Sequence, residues 1–305
     1  MTSNELLVNP REGRVATLER RHVVTRLGRL NVWTGGTGPH VVLWHSMYVS
    51  SASWRDVVAE LLPERTVWVV DGPGFGGSDP LRRRTSIAEC ALAAVELLDG
   101  LGIREPVDWV GNAWGGHIGM QLAATTDRVS RLVTVSAPIL PSGRRMALRA
   151  LILALRIAGP VPPLLSAVTA LQLTAASQAM PARRAIVETA VRAAGRRSLA
   201  LTSASFVLDR GDATAQLRAT TAAVLIIATD DRTDWRPDDA VAAAALTPGG
   251  RSAVIPGSRT LVPVEQPHAL VRLLREFWAS TPPADPSATH PSRRQRPAQQ
   301  KEAAA

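Results

Sequence analysis

The stretch "DWVGNAWGGHIG" at residues 108–119 decides the fold. It begins as a short apolar run, which is typical of a buried strand, and continues through a sharp turn into the start of a helix. Gly111, Gly115 and Gly116 supply the room that a tight turn of this kind needs. The residue at the centre of the turn is Ala113, which we expect to project into a cleft with helix N-terminal amides behind it.

Strand and helix patterns alternate on both sides of this stretch, after a hairpin that turns at Gly28. Because buried strands separated by helices pair in parallel, the sequence predicts an α/β fold with a mostly parallel central sheet flanked by helices. The predicted strands lie at residues 41–45, 66–74, 107–113, 131–137, 222–231 and 251–257, and the predicted helices at 53–62, 86–102, 236–246 and 267–278.

The alternation stops at Ile139 and resumes after Arg218, and the sequence between them is rich in Ala, Leu and Arg with helical spacing. This pattern predicts a helical lid inserted into one α/β domain. The polar, proline-rich end of the chain is typical of disorder. The predicted organisation is a leader at residues 1–19, the first part of the core at 20–138, a cap or lid at 139–220, the second part of the core at 221–280 and a disordered tail at 281–305.

The composition is that of an ordinary soluble globular protein, with 46% hydrophobic and 20% charged residues in a chain of 305. Cys90 is the only cysteine, which excludes disulfides within one chain and cysteine-ligated metal sites. We expect neither a metal nor another cofactor. The first residues lack the apolar run of a signal peptide, and no apolar stretch reaches about 18 residues, so we expect a cytoplasmic protein.

The net charge of +9 is concentrated in the predicted lid, where eleven arginines face three acidic residues, a net charge of +8 over residues 139–220. The arginines are not interleaved with aromatic residues, so nucleic acid is not an expected partner. Solvated faces of amphipathic helices are one interpretation of this charge. A weak contact with an anionic membrane surface, or with an acidic ligand, is the other.

Five motifs follow one another along residues 20–280: "LWHSMYVSSASW" (43–54), "DGPGFGGSD" (71–79), "GNAWGG" (111–116), "ATDDRTDW" (228–235) and "IPGSRTLVPVEQPHAL" (255–270). Together they resemble the motifs of the α/β-hydrolase fold superfamily, in which the first is the oxyanion loop, the third the nucleophile elbow, the fourth the acid loop and the fifth the histidine loop. The tryptophan of the third motif is shared with the branch that contains haloalkane dehalogenases, epoxide hydrolases and haloperoxidase-like proteins. The resemblance therefore implies an α/β-hydrolase fold with an inserted helical lid.

The same resemblance implies a degenerate catalytic triad. The family places Ser, Asp or Cys at the position of Ala113, and its histidine falls on Thr260, with Arg259 in place of the preceding glycine. Threonine has no useful pKa for general-base work near neutrality. The acid is retained as Asp231, with Asp230 and Asp234 as alternatives.

Three roles remain open for Asp231: a general base, a salt-bridge partner of Arg232 or Arg259, or a relic. Among the histidines, His45 on the oxyanion loop is the candidate for a catalytic base, although a structural role is the alternative there. We expect His117, four residues after the elbow, to pack under the sheet and not to face the cleft.

The resemblance also implies an oxyanion site, with the amides of Met47 and Trp114 directed into one cavity and Asn112 beside them. Together with Tyr48, the indole of Trp114 suggests an apolar pocket for a small molecule with one polar group. Conventional Ser-His-Asp hydrolysis is not expected. One hypothesis is a hydrolase-related enzyme that acts without a covalent intermediate, by water activation, elimination or cyclisation. The alternative is a non-catalytic, ligand- or partner-binding pseudo-hydrolase, and the sequence leaves the oligomeric state open.

Overall fold

The computed structural model describes residues 5–8, 15–141 and 143–282, and a nine-stranded sheet runs through it in the order β1-β2-β3-β5-β4-β6-β7-β8-β9. The first three pairings, β1–β2, β2–β3 and β3–β5, are antiparallel, and the other five are parallel, which confirms the predicted mostly parallel sheet. The strands are β1 (Glu5–Val8), β2 (Val15–Thr25), β3 (Gly28–Gly35), β4 (His40–Trp44), β5 (Thr66–Asp71), β6 (Val107–Asn112), β7 (Val129–Val135), β8 (Ala223–Thr229) and β9 (Arg251–Ile255).

Helices cover both faces of this sheet. Strands β6 and β7 are buried along their whole length, which explains the tryptophan, valine and leucine residues in their sequences. One face packs against α2 (Ile87–Gly100), α3 (Trp114–Thr125), α9 (Thr214–Ala219) and α10 (Pro237–Ala244). The other face packs against α1 (Arg55–Leu61) and α12 (Pro267–Ser280), with the short α11 (Val262–Glu265) before it.

The cap lies between β7 and β8, where the sequence predicts an insertion at residues 139–220. It contains α4 (Arg145–Ala158), α5 (Pro162–Gln172), α6 (Ala175–Gln178), α7 (Pro181–Ala193), α8 (Arg196–Ser203) and a π-helical turn at Ala204–Leu208. Helix α9 also falls inside the predicted insertion, but it packs against α3 of the core and buries Leu217 there. Helical spacing is the same in both settings, so the sequence pattern could not separate α9 from the cap.

The predicted leader, residues 1–19, contains β1 and the start of β2. These strands pair in an antiparallel register from Glu5 opposite Leu18 to Val8 opposite Val15, so this part of the chain extends the sheet. The rest of the predicted leader, residues 1–4 and 9–14, lies outside the described residues. So does most of the predicted disordered tail, from residue 283 onward.

A buried ion cluster holds β6 and β7 together near their amino-terminal ends, opposite the end that carries the elbow. Asp108 accepts hydrogen bonds from Arg131, with Nε–Oδ1 at 2.7 Å and Nη2–Oδ2 at 2.9 Å, and from Arg65 Nη1 at 2.8 Å. The Arg65 guanidinium also stacks on the ring of Trp278, 3.9 Å from its centroid. One carboxylate therefore balances two buried guanidinium groups, which makes it the critical member of the cluster.

Helix α2 begins at a capping box. Ser86 accepts the amide of Glu89, and the Glu89 carboxylate accepts the amide of Ser86 in return. Arg83 Nη2 and Thr85 Oγ1 donate to the same carboxylate at 2.5 Å and 2.6 Å. These hydrogen bonds, that of Arg83 first, lower the pKa of Glu89 to about 2.

Candidate functional site

The turn between β6 and α3 consists of one residue, Ala113, which has φ 46° and ψ −99°. A side chain at Gly111 would place its Cβ 2.1 Å from the carbonyl carbon of Gly115, and one at Gly115 would lie 2.2 Å from the oxygen of Trp44. The glycines are therefore required for the backbone to turn this sharply. Ala113 is held in the left-handed region, and its amide donates to the oxygen of Val135 at 2.8 Å.

A cavity of about 220 Å³ lies between the cap and the loops that follow the carboxyl ends of the parallel strands, and Ala113 lines it. This is the edge at which open parallel sheets bind ligands. The indole of Trp114 stacks on the ring of Phe206 in the cap, with centroids 4.6 Å apart and planes 24° apart. The cavity walls are largely apolar, and their larger side chains are Met47, Tyr48, Trp114, Leu171, Phe206 and Val207.

Both residues that the sequence assigns to the acid and histidine positions line this cavity with Ala113. The hydroxyl of Thr260 donates to the oxygen of Leu171 at 3.1 Å and accepts Nη1 of Arg232 at 3.2 Å. Asp231 Oδ2 accepts Nε of Arg259 at 2.9 Å. Of the three roles left open for Asp231, the salt bridge to Arg259 is the one present in the structure.

The alternative acids have other partners. Asp234 forms a bidentate pair with Arg232, Nε–Oδ1 at 2.9 Å and Nη2–Oδ2 at 2.7 Å. Burial acts to raise the pKa of Asp234, but the hydrogen bonds and charge of Arg232 outweigh it, so that pKa is lowered. Asp230 Oδ1 accepts the amide of Gly257 at 2.8 Å, which ties the acid loop to the histidine loop.

The two proposed oxyanion residues both line the cavity. Trp114 is the first residue of α3, where an amide has no partner within the helix, and Met47 lies in the loop after β4. Tyr48 follows with φ 67°, a left-handed conformation that a bulky residue rarely adopts. That the Met47 and Trp114 amides bind a ligand oxygen stays a prediction.

Asn112 and His45 are described by the structure but do not line the cavity, in contrast to the sequence assignment. Asn112 Nδ2 donates to the oxygens of Val135 and Thr260, at 3.0 Å and 2.7 Å, and so positions the histidine loop. His45 Nε2 accepts the amide of Gly72 at 2.9 Å, and Nδ1 lies 2.6 Å from the oxygen of Ser46. Burial lowers the pKa of His45, and both of its ring nitrogens already have partners.

His117 lines the cavity, so the prediction that it packs away from the cleft is wrong. The cap closes over the turn of α3 that carries it, and Nη1 of Arg210 lies 2.5 Å from its Nε2. Burial, and then the charge of Arg210, lower the pKa of His117 well below its usual value, which keeps the ring neutral. Sequence reasoning missed Arg210 because no motif surrounds it between the π-helical turn and α9.

The polar part of the cavity carries an excess of positive charge. Four arginines and two aspartates line it: Arg144, Arg210, Arg232, Arg259, Asp231 and Asp234. Among the residues that the structure describes, no group of three or more His, Cys, Asp or Glu side chains is placed to hold a metal ion. Within the same residues, no helix combines the length and apolarity needed to cross a membrane.

The family comparison agrees with this geometry. A model described as the alpha/beta hydrolase family matches residues 41–273, from β4 to α12. The chain belongs to the alpha/beta hydrolase family. This alpha/beta hydrolase is 37% identical over 105 residues to the pimeloyl-[acyl-carrier protein] methyl ester esterase of Vibrio vulnificus, covering 34% of this chain and 39% of that protein. It is 39% identical over 103 residues to an uncharacterised protein of Mycobacterium tuberculosis, covering 33% of this chain and 30% of that one. These matches span less than half of the length of either relative.

Solved structures share the fold of this alpha/beta hydrolase at low sequence identity. A thermophilic esterase from Thermogutta terrifontis superposes with a TM-score of 0.77 and 22% identity, covering 86% of this chain and 98% of that one. The enol-lactonase from Burkholderia xenovorans gives a TM-score of 0.78 and 20% identity, covering 85% of this chain and 100% of the other. At this identity the likeness concerns the fold alone.

Proposed function

We propose that this alpha/beta hydrolase binds a small, largely apolar molecule with one polar group in the cavity under its cap, and that it forms no covalent intermediate. The observation that carries the proposal is Ala113, whose methyl group stands on the sharp turn at the cavity wall. A methyl group has no lone pair with which to attack a carbonyl or alkyl carbon. The apolar walls and the backbone of Met47 and Trp114 support binding instead.

The magnitude of the loss argues against ordinary ester hydrolysis. Removing the nucleophile or the base of a catalytic triad costs on the order of a million-fold in turnover, and both positions carry unsuitable residues here. About a thousand-fold acceleration over water can remain from binding and the oxyanion site alone. Kinship with esterases therefore describes the ancestry of the cavity, and binding is the function that its residues support.

A second candidate is non-covalent catalysis with Asp231 as the base. The specific observation in its favour is that the carboxylate lines the cavity and its side chain is 40% exposed. The salt bridge from Arg259 uses Oδ2, so Oδ1 faces no donor among the described residues and could receive a proton from a bound water. Turnover of a short-chain methyl ester that Asp231→Asn abolishes would establish this candidate.

Native mass spectrometry of the purified full chain tests the binding proposal. Val207→Trp places an indole in the cavity, whereas Val241→Trp makes the same change on exposed α10. We expect a small molecule on the wild type and on Val241→Trp that is released under denaturing conditions, and reduced occupancy on Val207→Trp. Equal occupancy in all three proteins, or a mass addition that survives denaturation, contradicts the proposal.

We also propose that the outer face of α4 contacts an anionic lipid surface. Met146, Leu153 and Ile157 form one stripe along this helix and are 73%, 57% and 67% exposed. A row of exposed arginines flanks the stripe, and α4 carries no acidic residue. An exposed apolar stripe beside cationic side chains is the pattern of helices that lie in a membrane interface. The row consists of Arg145, Arg149 and Arg156.

Sedimentation with vesicles of phosphatidylglycerol tests this contact. We expect binding at low salt that weakens at physiological ionic strength, where exposed charges are screened beyond about 8 Å. Replacing the arginine row with Gln should abolish it. A control variant that instead replaces three exposed arginines outside the cap should bind like the wild type. These are Arg82, Arg104 and Arg272. Absence of sedimentation at low salt, or equal loss in both variants, contradicts the proposal.

A further inference from the structure

We infer that the polar group of the ligand is a carboxylate and that Arg210 binds it. This inference rests on the proposed function, because it concerns the ligand of the same cavity. Arg210 lies in the loop between the π-helical turn and α9 and lines the cavity. Its side chain is partly buried, which gives a hydrogen bond from its charge more weight than in open solvent.

Among the described residues, Arg210 has a free edge, formed by Nε and Nη2, of the kind through which two other arginines of this chain bind carboxylates. Arg131 binds Asp108, and Arg232 binds Asp234, each through Nε and Nη2 at 2.7–2.9 Å. On Arg210 two of the three contacts involve the other nitrogen, Nη1, while Nη2 uses one of its two hydrogens. The Nε–H and the second Nη2–H therefore have no acceptor among the described residues.

The contacts that Arg210 does make hold its guanidinium in place without balancing its charge. Nη1 donates to the oxygen of Pro138 and lies 2.5 Å from Nε2 of His117. Nη2 donates to the oxygen of Leu140 at 2.6 Å. These partners are neutral. Helix α3, through His117, and the segment of residues 138–140 therefore position the guanidinium before a ligand binds. Positioning of this kind reduces the side-chain entropy that the protein loses when a ligand binds.

The electrostatics of the cavity also favour an anion. Arg232 and Arg259 each form a salt bridge, with Asp234 and Asp231, whereas Arg210 forms none among the described residues. Burial first, and repulsion by Arg232 second, lower the pKa of Arg210 to about 10, although the charge of Asp234 acts in the opposite direction. Asp234 is already paired with Arg232, so two guanidinium groups share one carboxylate, and a ligand anion would supply a second counter-charge.

The remainder of the cavity determines the kind of acid. Its volume of about 220 Å³ is below the about 300–1,000 Å³ that is usual for sites of drug-sized ligands, so the molecule is small. The stacked rings of Trp114 and Phe206 provide an apolar wall. The planar fork of one guanidinium matches the two oxygens of a carboxylate. The cavity thus fits a small monocarboxylic acid with an aliphatic or aromatic body.

Isothermal titration calorimetry with matched ligands tests this inference. The probes are straight-chain carboxylates of four to ten carbons, each paired with the alcohol of the same length. We expect the wild type to bind the best acid at least tenfold more tightly than its alcohol, because a charge-assisted bidentate contact is made only by the acid. Arg210→Gln should remove this preference and leave alcohol binding within about twofold.

Two further variants test whether the preference for the acid depends on the planar guanidinium of Arg210, on its positive charge alone, or on the overall charge of the cap. Arg210→Lys keeps the charge but not the fork, and we expect an intermediate preference for the acid. Arg197→Gln removes one exposed charge of the cap outside the cavity and should keep the full preference. Circular dichroism melting verifies that each variant is folded.

The outcomes distinguish this inference from the function on which it rests. If acids and alcohols bind equally well to the wild type, or if folded Arg210→Gln keeps the preference, the carboxylate assignment is overturned and the ligand cavity stands. If inorganic phosphate competes as well as the acids do, the site is a general anion site and the carboxylate assignment is also overturned. If no member of either series binds, both the inference and the proposed cavity function are contradicted.

Discussion

Restoring a nucleophile and a histidine, as Ala113→Ser with Thr260→His, is not enough to give efficient ester hydrolysis in this fold. The reason is the salt bridge from Arg259 to Oδ2 of Asp231, because a guanidinium at one oxygen competes with the new imidazole for the carboxylate, even though Oδ1 faces no donor among the described residues. We therefore expect the triple variant that adds Arg259→Gly to be the active one. Glycine is the residue that the family pattern has at that position, and its backbone follows the same path without the competing guanidinium.

The size of the difference follows from what the carboxylate does in a triad. Loss of its orienting hydrogen bond costs about 10⁴ in turnover, which sets the upper limit on the gain from freeing Asp231. The gain is smaller because the Thr260 hydroxyl also contacts Arg232, and a histidine there must displace that guanidinium. We expect kcat/KM of the triple variant to exceed that of the double variant by at least tenfold.

Hydrolysis of p-nitrophenyl butyrate, followed by absorbance, measures this difference. Ala113→Ser alone and Arg259→Gly alone are the controls, and both should stay near the wild-type rate because nucleophile and base act as one unit. Equal activity of the double and triple variants would refute the role assigned to Asp231. A triple variant that is folded and inert would show that the three positions are not in catalytic register.

The other predictions concern stability. Ala113→Gly should stabilise the fold by about 0.5–2 kcal/mol in urea unfolding, because relief of backbone strain worth about 1–3 kcal/mol exceeds the entropy that glycine adds to the unfolded chain. The same change at an exposed position of helix α7, Ala185→Gly, should destabilise the fold by about 1 kcal/mol. Asp108→Asn leaves two buried guanidinium groups without their carboxylate and should cost about 3–5 kcal/mol, whereas Glu19→Gln at the exposed ion pair with Arg21 should cost under about 1 kcal/mol by the same assay. The pKa of Glu89 is about 2 in the folded state and near 4.3 in the unfolded state. The Glu89 carboxylate therefore stabilises the fold fully above about pH 4.3, and this stabilisation is lost as the pH falls to about 2. The free energies of unfolding of wild type and Glu89→Gln, obtained from urea titrations, should differ by about 1 kcal/mol at pH 7 after solvent screening and converge near pH 2. The glutamine side chain keeps the capping box.

The sequence was sufficient to predict the elbow and the sheet around it. Gly111 and Gly115 are dictated by backbone contacts shorter than 3 Å, and Gly116 by the Cβ of Ala137 at 2.8 Å, so their spacing carries the turn geometry directly. The apolar residues of β6 and β7 follow from burial on both faces of a parallel sheet. Local constraints of this kind are written into a few neighbouring residues.

The polar side of the cavity could not be predicted, because distant segments meet there. Arg210 and His117 are 93 positions apart and come together only when the cap closes on α3. His45 occupies a motif position, yet its role depends on an amide 27 residues away, that of Gly72. The spacing of residues along one helix or loop does not indicate which residues from distant parts of the chain will contact them.

We propose that the elbow of this alpha/beta hydrolase forms no covalent intermediate, and labelling with a fluorophosphonate probe followed by intact-mass analysis tests this most directly. We expect the wild-type chain to keep its mass of 32.5 kDa, while the variant carrying Ala113→Ser, Thr260→His and Arg259→Gly gains one adduct. A stoichiometric adduct on the wild type, mapped to a residue that lines the cavity, would overturn the proposal and identify a nucleophile elsewhere than at position 113.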